Sequence, residues 1–163
     1  MAESEKEHAD RIRLAERSHA ARRDDIKLLI PQIQAYAVDG MKAPGLAAAA
    51  GVAAALGYYS ANYTRLSANP ENLITFNAIL FWLFASLLFT VIAPGMAYFS
   101  QISYATSWTY EKYNYEHPFV HDTAKSLRFA RIGHAFRWVT IAIVFGSIAC
   151  IARAGYLFLR VVS

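Results

Sequence analysis

Apolar and polar positions in this chain segregate into long blocks. Residues 1–43 are dense in charge, and three apolar runs follow them. Residues 45–66 are rich in Ala and Gly and carry only Arg65. Residues 73–104 contain no Asp, Glu, Lys or Arg, and residues 136–159 contain Arg137 at one edge and Arg153 inside. About 20 helical residues cross the roughly 30 Å of bilayer hydrocarbon. The pattern therefore predicts three transmembrane helices, at about residues 45–66, 73–97 and 136–159. The fold class is all-α: an integral membrane protein with a charged N-terminal cytoplasmic helix in residues 1–43 and a membrane domain in residues 44–163.

Helix signals extend two of these runs. Asn69-Pro70-Glu71 spells a helix start, with an Asn cap, Pro at the first helical position and an acid on the positive dipole end. Pro94-Gly95 is the next breaker, where a kink is expected, and His117-Pro118 follows it. Asp122 can cap a last helix starting at Thr123. Both long helices exceed the bilayer, so spans two and three are expected to continue into a cytoplasmic helical hairpin, about residues 98–135, with its tip near Pro118. The charges of residues 3–27 balance, seven bases against seven acids. They leave a sparse stripe of Ile12, Ala15, His19 and Ile26 to lie against that hairpin.

Composition agrees with a membrane protein. Of the 163 residues 56% are hydrophobic and 17% charged, against about 25% charged in soluble domains. Lys and Arg flank the runs asymmetrically. Eight precede the first span, none lies between the first and second, and Lys112, Lys125, Arg128 and Arg131 lie between the second and third. By the positive-inside rule the N-terminus is cytoplasmic and the C-terminus outside, in a membrane such as the bacterial inner membrane. A cleaved signal peptide is not expected, because residues 1–27 have no apolar core.

Small residues recur every four positions: Ala47, Gly51 and Ala55, then Ala53, Gly57 and Ala61 in the first span, and Ala142, Gly146, Cys150 and Ala154 in the third. Such faces let helix backbones approach closely in lipid. Spans one and three are expected to pack through them and to support self-association, with bulky span two facing lipid. Asn62, Asn77 and Arg153 are the candidate pore or polar lining, although Arg153 can also snorkel to the headgroups. Pro94 and Gly95 form a candidate hinge. His117 and His121 have the i,i+4 spacing of helical metal sites, but Pro118 intervenes; a polar turn is the favoured reading, with no metal and no cofactor expected. No phosphate loop, nucleophile elbow or zinc-type Cys pair occurs, so no enzyme is expected, and the balanced charge argues against nucleic acid. Two functions remain: a homo-oligomeric channel or pore-type effector gated by its cytoplasmic helices, or a non-catalytic accessory subunit of a larger membrane complex. The layout is similar in architecture to the small membrane effectors of bacterial conflict systems, which implies the first.

Overall fold

A computed structural model describes residues 4–162, and the backbone alone for residues 29, 32, 33, 36, 37 and 39. The outermost residues of the expected N- and C-terminal segments, 1–3 and 163, lie outside that description. Four helices and one short β-ladder follow in order: α1 (Glu5–Ala61), α2 (Tyr63–Ser67), α3 (Pro70–Thr109), β1 (Lys112–Tyr113), β2 (Val120–His121) and α4 (Ala124–Val162). The chain divides into two compact units. One comprises Met1–Tyr36 with Phe99–Phe136, the other Ala37–Tyr98 with Arg137–Ser163.

The all-helical character is as expected, but two helices, not three, are long and apolar enough to cross a membrane among the described residues. These are α3 and α4, whose most apolar stretches have mean hydropathies of 2.2 and 1.9. The first expected span belongs to α1, where Gly51, Gly57, Tyr58, Tyr59 and Ser60 dilute its apolar character. It also stops short, because the helix breaks at Asn62 before the five-residue α2. The start of α3 follows its spelling: the Asn69 side-chain oxygen accepts from the Glu71 N–H at 3.0 Å, with Pro70 at the first helical position.

The hairpin tip differs from the sequence reading. Helix α3 ends at Thr109 and does not continue to Glu116. An antiparallel ladder pairs Lys112 with His121 and Tyr113 with Val120, and the turn between them holds a cis His117-Pro118 bond. Aromatic and β-branched residues (Tyr113, Tyr115, Val120) favour this extended form over helix. Thr123, not Asp122, caps α4: its hydroxyl accepts from the Ser126 N–H at 3.1 Å and donates to the Tyr110 carbonyl at 2.9 Å. Asp122 instead accepts from the Ser126 hydroxyl at 3.1 Å.

Within each unit α3 and α4 meet through small residues. On α3 these are Ser86, Ala93, Ser100 and Ser107, all buried; on α4 they are Ser126, Gly133, Ser147 and Ala154, also buried. In the first unit Ser107 donates to the Ser126 carbonyl at 2.8 Å, and Ser100 donates to the Gly133 carbonyl at 2.9 Å. In the second unit the Ser86 and Ser147 hydroxyls bond at 2.7 Å. Within the first unit the step of seven from Ser100 to Ser107 along α3 matches the step of seven from Gly133 back to Ser126 along α4, the register of an antiparallel heptad pair. Gly133 is required by close approach, since a Cβ there would stand 3.0 Å from the Tyr104 ring.

The core of the second unit gathers Ala55, Leu66, Phe76, Ile79, Leu83, Ala154 and Val161. Its packing brings α3 into contact with both α1 and α4. Small residues of α1 and α4 receive the bulk of α3, so α3 does not simply face lipid. A Cβ on Gly51 would lie 2.9 Å from Leu83, and one on Gly146 would lie 3.4 Å from Phe89. The most apolar stretch of α3 is 28% buried and that of α4 only 11%.

Candidate functional site

In the first unit, four residues on one stripe of α1 grip the hairpin. Arg11, Ala15, His19 and Arg22 are spaced four, four and three residues apart, which keeps them on one helix face. Ala15 and His19, members of the stripe seen in the sequence, are both buried. Arg11 donates to the Tyr115 carbonyl at 2.9 Å. The Nε2 of His19 lies 3.1 Å from the Asn114 carbonyl and 2.9 Å from that of Phe119. Two acceptors at one ring nitrogen require it to carry the proton. Tyr113 and Tyr115 then stand edge-on to the imidazole, with centroids at 5.0 and 5.8 Å. One buried histidine thus bridges Asn114 and Phe119, the two residues at the ends of the turn between the strands.

Arg22 makes an ion pair with Glu111. Its guanidinium grips Glu111 with two hydrogen bonds, Nε to Oε2 at 3.2 Å and Nη2 to Oε1 at 2.6 Å. The carboxylate side chain is 3% exposed and the arginine side chain 37%. The hydrogen bond to Glu111 is the main reason that Arg22 is held above its ordinary pKa, against a smaller downward push from burial. A cleft of about 430 Å³ opens beside the pair, lined by Ser18, Asp25 and Asp122. The sequence places His19 on the packing stripe but does not by itself join Arg11 to Tyr115 or Arg22 to Glu111 across the hairpin. The signal was present: two bases share a face with Ala15 and His19, and Glu111 is an acid directly after an apolar helix.

His117 and His121 do not share a helix face. His117 is exposed in the turn, edge-on to Phe119, while His121 sits in β2 opposite Lys112. Among the described residues no three His, Cys, Asp or Glu side chains gather as metal ligands.

In the second unit the predicted packing residues separate into two sets. Ala47, Gly51, Ala55 and Ala154 line an open apolar crevice of about 190 Å³ with Ile79 and Leu83. Gly146 packs on Phe89, and Cys150 is buried. By contrast Ala53, Gly57, Ala61 and Ala142 are exposed, and a Cβ on Gly57 would meet nothing within 4 Å. One small-residue ladder of α1 is therefore used inside the unit and the other is turned outward.

The polar candidates are dispersed. Asn62 is half-buried and donates to the Tyr58 carbonyl at 3.0 Å, within its own turn. Asn77 is exposed on α3. Arg153 is exposed and stacks over Tyr156, 5.7 Å from the ring centroid. Pro94 and Gly95 are exposed inside α3, which remains helical through them. No family model matches the chain, and no curated protein or solved structure is significantly similar to it.

Proposed function

We propose that the protein is an integral membrane protein that self-assembles into a channel or pore-type effector. The observation that carries this reading is the exposure of α3 and α4. A soluble protein buries its most apolar helices, whereas here only 28% and 11% of their most apolar stretches are buried. Lipid is the solvent that such surfaces fit. The segment of α1 from residue 45 is the third span, sheltered by the side of α3 on which Gly51 meets Leu83.

Assembly uses the outward ladder Ala53, Gly57 and Ala61, since small faces at four-residue spacing drive close helix association in lipid. Asn77, exposed on α3, supplies a polar position between subunits. The first unit is the gating head, held closed on itself by Arg22–Glu111 and His19, and Pro94 with Gly95 gives α3 its point of bending. The N-terminus and the head lie in the cytoplasm and the C-terminus outside, as the flanking Lys and Arg require.

A second reading, an accessory subunit of a larger membrane complex, is favoured by the open crevice, whose small lining residues could seat a bulky side chain of another protein. Purification from native membranes with identification of every co-eluting chain separates the two. Assembly of this chain alone, in a fixed copy number, supports the pore. Constant co-elution of other chains at fixed ratio supports the subunit, and a strictly monomeric chain overturns both.

A further inference from the structure

We propose that Arg153, Tyr156 and Arg160 form a site for the phosphate of an anionic phospholipid, an inference that rests on the membrane reading above. The three residues are spaced three and four apart and lie on one exposed face of α4. The Arg160 guanidinium stands 4.7 Å from the Tyr156 ring centroid and that of Arg153 stands 5.7 Å from it. Arg160 also donates to the Tyr156 hydroxyl at 2.6 Å. Two like charges are thus drawn to a single phenol from turns of helix on either side.

A guanidinium carries five N–H donors in a fork that matches phosphate, and the bond to Tyr156 uses one of those of Arg160. Because Tyr156 accepts from Arg160, its own O–H remains a donor. Charge complementarity fixes the sign of the ligand. Residues 138–162 carry Arg153 and Arg160 as their only charged side chains.

Position fixes its source. Trp138 is exposed beside Arg137, whose guanidinium lies 5.9 Å from the indole centroid. From Trp138 to Tyr156 the helix rises about 27 Å, close to the roughly 30 Å hydrocarbon thickness. Aromatic side chains mark both ends of a span, so Tyr156 stands at headgroup depth. A zwitterionic headgroup would bring its own cation against the two arginines, and an anionic one would not. The opposite face of α4, with Ile151, Ala154 and Phe158, lines the apolar crevice and takes no part.

The test uses the full chain in nanodiscs that mix phosphatidylglycerol and phosphatidylcholine, with retained lipid read by native mass spectrometry. Wild type is expected to retain phosphatidylglycerol about 30-fold over phosphatidylcholine, equivalent to about 1 kcal/mol for each of two arginines. R153Q with R160Q should bring the ratio near parity, and R153K with R160K should keep much of it. Inorganic phosphate at millimolar concentration should not displace the lipid; displacement would mark a free-anion site and overturn the assignment. An unchanged ratio in the double Gln variant would also overturn it. Failure of the wild type to insert into vesicles would instead overturn the membrane reading itself, whereas insertion without lipid preference would overturn only this site.

Discussion

Replacing Arg22 with Met removes the charge that Glu111 faces while keeping most of the side-chain volume. The Glu111 carboxylate is 3% exposed and takes two hydrogen bonds from that guanidinium. Removing one partner of a fully buried pair costs about 3–5 kcal/mol. Arg22 is 37% exposed, so water offsets part of the loss, and about 2–3 kcal/mol is expected. The reverse change, Glu111→Gln, leaves a guanidinium that solvent can reach and should cost only about 1 kcal/mol. Arg22→Met with Glu111→Leu removes both charges and should fall near the milder variant. Amide hydrogen exchange in α1 before residue 23 and in residues 111–121 reads this directly. The expected increase is roughly 30- to 150-fold for Arg22→Met and about fivefold for Glu111→Gln. Equal effects from the two single variants would refute the reasoning, because the asymmetry follows from which partner is buried.

Leu at Gly51 should destabilise the second unit by about 1–3 kcal/mol, read as a lower unfolding temperature in detergent, since a Cβ there already stands 2.9 Å from Leu83. Leu at Gly57 meets open space; it should leave the unfolding temperature unchanged and lower the copy number on a sizing column. The pH dependence of the head follows from Arg22. Its pKa is raised from an already high value, so its share of stability is complete below that value and is lost only as pH rises past the folded pKa. Protection of residues 111–121, corrected for the intrinsic exchange rate, should therefore hold from neutral to mildly alkaline pH.

The apolar runs, the Asn69-Pro70-Glu71 start and the stripe through Ala15 and His19 were legible in the sequence because each is a local pattern. The helical arm, not the place of Pro118 in the turn, was misjudged: helix propensity was carried past Thr109, where aromatic and β-branched residues pair across a ladder instead. The series Ser86, Ala93, Ser100 and Ser107 was spelled out at seven-residue spacing, yet a search for small residues at four-residue spacing passes over it. The bulk of span two, Phe89 included, suggested lipid contact, although Phe89 packs on a glycine that a one-helix reading cannot assign. The Arg22–Glu111 pair lies 89 residues apart in the chain, and periodicity offers no means of joining residues at that distance.

Single-channel recording from planar bilayers containing the purified full chain tests self-assembly into a pore most directly. Wild type is expected to give discrete current steps, and a Gly57→Leu variant that is folded and inserted is expected to give none. A silent bilayer containing the inserted wild type, or unchanged currents from the Gly57→Leu variant, would contradict the account.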